Sequence, residues 1–164
     1  MKITPISQWL PFNDYLVIAG PCSAETEAQV LSTAHSVKKI NKVKVFRAGI
    51  WKPRTRPNTF EGIGKKGLKW LQKVKKETGL LTCTEVANPD HVKACLDHDV
   101  DILWVGARTT VNPFLIQNIA DSLEGKDTPV MIKNPINADL SLWVGAIERF
   151  LNKGITKLVG IHRG

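Results

Sequence analysis

Short runs of aliphatic and β-branched residues alternate along the chain with longer stretches in which apolar residues recur every three to four positions. The runs Leu16–Ala19, Val43–Phe46, Leu80–Thr84, Ile102–Val105, Val130–Ile132 and Leu158–Ile161 are predicted strands. Thr26, with Gln29 three residues on, predicts a capped helix start. The lysine-rich segment from about Ile63 to Thr78 is predicted as a helix, stopped by Gly79. Asn88-Pro89 and Asn112-Pro113 each supply an asparagine cap with proline at the first turn. After the second of these, Leu115, Ile116, Ile119 and Leu123 give a helix one apolar face. Asp139 caps a last helix, which runs to about Lys153 and ends before Gly154.

Strands alternating with helices over short loops imply an α/β fold with a parallel sheet, either open and doubly wound or closed as a barrel. The strand ends discriminate between them. A (β/α)8 barrel draws its functional residues from the C-terminal ends of many strands, whereas an open sheet concentrates them near one switch point. Here the first strand runs into Gly20-Pro21-Cys22-Ser23, the second ends at Arg47, the third at Glu85, the fourth at Arg108, the fifth at Lys133 and the sixth at His162-Arg163. The expectation is therefore a TIM-type (β/α)8 barrel, incomplete, with about six βα units, residues 1–164 forming one domain from its N-terminal portion.

Composition narrows the function classes. A hydrophobic fraction of 43% is that of an ordinary globular domain. The N-terminus has no signal-peptide pattern and no apolar run reaches the roughly 18 residues of a membrane span, so a cytoplasmic location without membrane contact is the expectation. Cys22, Cys83 and Cys95 are too widely spaced for a paired-cysteine zinc site, and reduced thiols fit best. Cys83 and Cys95 read as core residues, and His35, His91 and His98 as surface residues on helices. The formal charge of +8 points to an anionic partner or to a solvated lysine face. Lys65, Lys66, Lys69, Lys73, Lys75 and Lys76 crowd one segment and read as the solvated face. Nucleic-acid binding has only the charge in its favour, because no aromatic-basic motif accompanies it.

A different set of cations carries the chemistry. Arg47, Lys52, Arg54, Arg108, Lys133 and Arg163 lie at strand ends or in the loops just beyond. Cations directed at one cavity repel unless the cavity holds anions, and arginine forks match phosphate and carboxylate oxygens in pairs. One or two small ligands with several negative charges are implied. Unrelated surface placement is the competing reading. Glu85 is a candidate to orient a lysine, accept a hydrogen bond or bind metal, with a solvated carboxylate as the alternative. Taken alone, Cys22 reads more readily as a small hydrophobe than as a metal ligand.

Several of these segments resemble motifs of the DAHP synthase family. Gly20-Pro21-Cys22-Ser23-Ala24-Glu25 is similar to the first-strand motif of its metal-dependent members. Phe46-Arg47-Ala48-Gly49 with Lys52-Pro53-Arg54-Thr55 resembles the signature for both substrates. Gly106-Ala107-Arg108-Thr109-Thr110, Lys133-Asn134-Pro135 and Arg163-Gly164 resemble the fourth, fifth and sixth strand ends. The resemblance implies condensation of phosphoenolpyruvate with erythrose 4-phosphate, the first step of aromatic amino-acid biosynthesis by the shikimate pathway. By that resemblance Arg47, Lys52 and Lys133 lie near the phosphoenolpyruvate carboxylate, and Arg108, Arg163 and the Ala107 backbone hold its phosphate. Arg54 and Thr55 grip the sugar phosphate, and Lys52 is the proton donor. Cys22 becomes one of four ligands to a divalent metal (Mn, Fe, Co or Zn) that activates the aldehyde.

The same family implies a homo-oligomer, and in some members a fused chorismate mutase. Its other metal ligands come from strands after Arg163, so this stretch alone is expected to be inactive. Arg56 stands where many relatives have serine, and His162 where several have glutamate. KDO-8-phosphate synthase is the rival enzyme, disfavoured by Lys52-Pro53-Arg54-Thr55 and by cysteine at position 22. A non-catalytic phosphate-binding fragment is the rival from another class.

Overall fold

The structure is a computed structural model and describes residues 2–163. In chain order the elements are β1 (Val17–Ala19), α1 (Glu27–Lys38), β2 (Val43–Arg47), α2 (Lys66–Thr78), β3 (Leu81–Val86), α3 (Pro89–Leu96), β4 (Ile102–Val105), α4 (Ala107–Thr110), α5 (Pro113–Ser122), β5 (Val130–Lys133), α6 (Leu140–Asn152) and β6 (Leu158–Ile161). A 3-10 turn at Ile6–Gln8 precedes them. They fall into two compact units.

The first unit comprises Phe12–Glu85 and Ala94–Asp101. Its strands β1, β2 and β3 pair in parallel, with Ala19 beside Phe46 and Arg47 beside Cys83. Parallel pairing needs a crossover, and α1 and α2 supply it. Val45, Phe46, Leu68, Leu71 and Val74 are almost wholly buried, so α2 faces the sheet with its apolar side and water with its lysines. One of those lysines, Lys73, pairs with Glu27 of α1. Another, Lys75, lies 2.6 Å from Asp101, whose second carboxylate oxygen accepts from the Thr82 backbone N–H at 2.8 Å. The lysine run is thus a solvated face with structural pairings.

The second unit comprises the chain up to Pro11, Val86–Lys93 and the residues from Ile102 onward. Here β4, β5 and β6 pair in parallel, Leu103 beside Val130 and Val130 beside Leu158. All four residues of β4 are buried, as a strand covered on both faces requires. Ile116 and Ile119 of α5 and Phe150 of α6 pack with no exposure.

The capping residues behave as their chemistry dictates. Thr26 Oγ1 accepts from Gln29 N, while the Gln29 side chain accepts from the N–H of Glu25 rather than of Thr26. Asn112 Oδ1 accepts from Phe114 N and Leu115 N, and Asp139 Oδ1 from Leu142 N. Gly79 closes α2 in the left-handed conformation at φ 68°. Three expectations need correction. Helix α2 begins at Lys66, not Ile63, because Gly62 and Gly64 both take positive φ and hold residues 61–65 out of a helix. Arg108 does not end a strand: β4 stops at Val105 and Arg108 lies in the four-residue helix α4. His98 lies in the turn after α3, not on a helix, with its Nδ1 2.9 Å from Ala94 O.

Candidate functional site

In the first unit the loops after β1 and β2 are built against each other. Gly20 sits at φ 148°, and a Cβ there would stand 1.9 Å from the Arg47 carbonyl oxygen. Only glycine lets the end of β1 pass that close to the end of β2. At Gly49 a Cβ would meet the Cys22 carbonyl oxygen at 2.3 Å. Backbone bonds stitch the same contact, Ala24 N to Gly49 O at 3.0 Å and Gly49 N to Pro21 O at 3.4 Å. The Thr84 hydroxyl of β3 donates to Ala48 O at 2.8 Å, fixing the β2 loop from the other side.

This close packing brings two predicted site residues together. Lys52 Nζ donates to the Cys22 carbonyl oxygen at 2.7 Å and lies 3.2 Å from Cys22 Sγ. Lys52 is half-buried and Cys22 exposed, and the Lys52 backbone N–H is tied to Glu61 O at 2.8 Å. Farther along the loop Arg54 Nε donates to Phe60 O at 3.0 Å, which leaves the outer guanidinium edge available to an anion. Thr55 is exposed beside it. Arg47 ends β2, and Glu85 is half-buried in β3, one residue before that strand ends.

The second unit carries the other cations. Lys133 ends β5 with its Nζ 5.2 Å from the Trp104 ring centroid, a cation–π contact. Its carbonyl oxygen accepts from the buried Thr110 hydroxyl of α4 at 2.9 Å, which anchors the helix bearing Ala107 and Arg108 to the end of β5. Asn134 Oδ1 accepts from Arg163 N at 2.7 Å, and Asn134 N donates to Ile161 O at 3.1 Å, so the residue after Lys133 fixes the loop carrying Arg163. Arg108 and Arg163 are exposed. Each predicted cation therefore lies at the C-terminal end of a strand or just beyond it, within its own unit. Sequence reasoning missed the aromatic floor that Trp104 gives Lys133. Its signal was an aromatic residue among the β-branched and aliphatic residues of a buried strand.

Cys83 and Cys95 have no exposure, and burial pushes the Cys95 thiol up to about 12. Cysteine suits a transition metal. Among the described residues, however, no three His, Cys, Asp or Glu side chains gather to hold an ion. One thiol with a lysine ammonium beside it does not fit a complete metal centre, since several ligands in set geometry are needed.

Residues 12–164 match the family profile described as "DAHP synthetase I family". The chain belongs to that family. It is 33% identical over 150 residues to the phospho-2-dehydro-3-deoxyheptonate aldolase of Thermotoga maritima, covering 92% of this chain and 43% of the relative. It is 34% identical over 127 residues to a 2-dehydro-3-deoxyphosphooctonate aldolase from Vesicomyosocius okutanii, covering 74% of this chain and 44% of the relative. The crystal structure of the Thermotoga maritima DAHP synthase superposes with a TM-score of 0.79 at 30% identity, covering 97% of this chain and 45% of that one. The fold is accordingly that of an incomplete (β/α)8 barrel with six parallel strands among the described residues. The chain spans less than half the length of these family relatives.

Proposed function

We propose that this segment supplies the phosphoenolpyruvate- and sugar-phosphate-binding strand ends of a DAHP synthase, an aldol-type condensing transferase. The Lys52–Cys22 contact carries the reading. It fixes an ammonium, with one further donor hydrogen, at the loop after the first strand, where an anionic oxygen would be held. The family resemblance assigns Arg47 and Lys133 to the carboxylate of phosphoenolpyruvate. Arg108 and Arg163, with the Ala107 backbone N–H, take the phosphate, and Arg54 and Thr55 take the phosphate of erythrose 4-phosphate.

In this reading C3 of phosphoenolpyruvate bonds to the aldehyde carbon, and Lys52 delivers a proton to the aldehyde oxygen. Water adds at C2, the C2–O bond to phosphate breaks, and inorganic phosphate leaves. The fixed cations offset the negative charge throughout. Cys22 would be one ligand of the divalent metal that the family resemblance implies, with Glu85 a possible support, and that ion would polarise the aldehyde.

Assays of phosphate release test the reading on a polypeptide of family length that carries this segment. Turnover with erythrose 4-phosphate supports it. Turnover only with arabinose 5-phosphate selects the octonate synthase, whose namesakes are also among the relatives. Binding of phosphoenolpyruvate without turnover on either aldehyde leaves a phosphate-binding module. The 164-residue chain alone is expected to bind phosphoenolpyruvate and release no phosphate.

A further inference from the structure

The contact between Lys52 and Cys22 holds a second chemistry, one that needs no substrate. Lys52 Nζ lies 3.2 Å from Cys22 Sγ. The lysine is fixed at both ends. Its Nζ donates to the Cys22 carbonyl oxygen at 2.7 Å, and its backbone N–H donates to Glu61 O at 2.8 Å. Between those points the stem folds back over Gly49, where a Cβ would stand 3.3 Å from both Lys52 Cδ and Nζ. The missing side chain at Gly49 leaves the lane along which the lysine reaches the sulfur. A nitrogen nucleophile and an oxidisable sulfur are thus held against each other.

The surroundings decide what becomes of the sulfur once it is oxidised. Cys22 is exposed, so a peroxide in solution reaches it. Peroxide converts a thiol to a sulfenic acid, which condenses with a nearby thiol or nitrogen. Cys83 and Cys95 have no exposure, so an intrachain disulfide would require the core to open. The Lys52 nitrogen is already in contact.

We propose that Cys22 and Lys52 form a redox modification site, at which a peroxide joins the two side chains by a reversible sulfur–nitrogen bond. In the first step the Cys22 sulfur takes one oxygen from peroxide as the O–O bond breaks. Sulfur is oxidised by two electrons, peroxide is reduced, and the thiol proton leaves with the second oxygen as water. In the second step the Lys52 nitrogen bonds to sulfur and the S–O bond breaks. The ammonium gives up two protons, one to the departing hydroxide, which leaves as water, and one to solvent. Two equivalents of a small thiol reverse the link: they become a disulfide, and the cysteine thiol and lysine amine return.

The bond consumes the ammonium and the sulfur together. On the proposed catalytic reading these are the proton donor and a metal ligand, so one modification withdraws both and shields the thiol from irreversible sulfinic acid. That consequence rests on the catalytic reading. The bond itself does not.

Intact-mass spectrometry on the purified chain, treated with hydrogen peroxide in a buffer containing chelator, tests it. The product is expected to be lighter than the starting chain by about 2 Da, the two hydrogens lost in forming the bond, and dithiothreitol to restore the original mass. Digestion should yield one pair of peptides joined through Cys22 and Lys52. Lys52→Met keeps the stem and removes the nitrogen, so its sulfenic acid should persist and be captured by dimedone at least about tenfold more than in the wild-type chain. Cys22→Ser should lose no mass. Circular dichroism confirms that each variant is folded, and the joined peptides of the wild-type chain need no variant. A wild-type chain that gains oxygen with no Cys22–Lys52 peptide, or dimedone capture that is the same with and without the Lys52 amine, overturns the site.

Discussion

Lys52 Nζ lies 2.7 Å from the carbonyl oxygen and 3.2 Å from the Sγ of Cys22, thirty residues away in sequence. The contact exists because Gly49 lets the β2 loop run directly against Cys22. An ammonium held this way has a fixed direction before any ligand arrives. Pre-paid orientation is what a binding site for small anions needs.

Removing that ammonium should cost binding more than stability. Lys52→Met keeps the aliphatic stem and is expected to shift the thermal midpoint little. Phosphoenolpyruvate affinity should fall by roughly 10- to 100-fold, the worth of a charge-assisted hydrogen bond. Calorimetric titration beside a melting curve separates the two. A large drop in midpoint with unchanged affinity would give Lys52 a structural role only.

The glycine behind the contact is predicted to be intolerant of a side chain. Gly49→Ala puts a methyl group 2.3 Å from the Cys22 carbonyl oxygen, so the loop after β1 must shift. The expected cost is about 1–3 kcal/mol, read as a lower urea midpoint at unchanged slope. Gly145→Ala, with nothing within 4 Å of its Cβ, is the control and should be tolerated. Equal midpoints for Gly49→Ala and wild type would contradict the packing described.

The three thiols should react at very different rates. Cys22 is exposed, whereas Cys83 and Cys95 have no accessible surface and burial holds the Cys95 thiol at about 12. At pH 8 an aromatic disulfide reagent is expected to modify one thiol of the folded chain quickly and three in denaturant. Cys22→Ser should abolish the fast phase. A fast phase that survives this substitution would mean that the core around β3 or α3 opens readily.

Much of the fold is legible in the sequence because each element carries its own period or cap. The six strands are short aliphatic runs, and Asn112, Asp139 and Gly79 mark helix ends by local chemistry alone. Helix α4 is not legible, since four residues are too few to show a period. The start of α2 is obscured because Ile63 continues the apolar rhythm through residues whose glycines take positive φ. The cations at the strand ends are visible in the chain. Their fixings are not. Lys52 to Cys22, Thr110 to Lys133 O and Trp104 beneath Lys133 join residues of separate elements, and no local pattern announces them.

One surface pair gives a pH signature. Lys153, 2.9 Å from Asp121, holds that carboxyl below its ordinary value, and Asp121, then Glu124, raises the lysine above its own. The Asp121 contribution is present above the ordinary carboxylate range and is lost as pH falls through its lowered value. The Lys153 contribution is present below the ordinary lysine value of 10.5 and is lost as pH rises through its raised value. Lys153→Met should therefore lower the melting temperature slightly near neutral pH and progressively less as pH falls through the lowered Asp121 value. A difference unchanged by acid would remove the ion pair as its cause.

The most direct test of the central claim, that the strand-end cations bind phosphoenolpyruvate, is calorimetric titration of that ligand into the purified chain at two salt concentrations. The account predicts saturable binding that weakens with salt. It also predicts a loss of roughly tenfold or more for Lys133→Ala and for Arg47→Ala, taken separately. No binding heat at any ligand concentration, or binding indifferent to both substitutions, would contradict it.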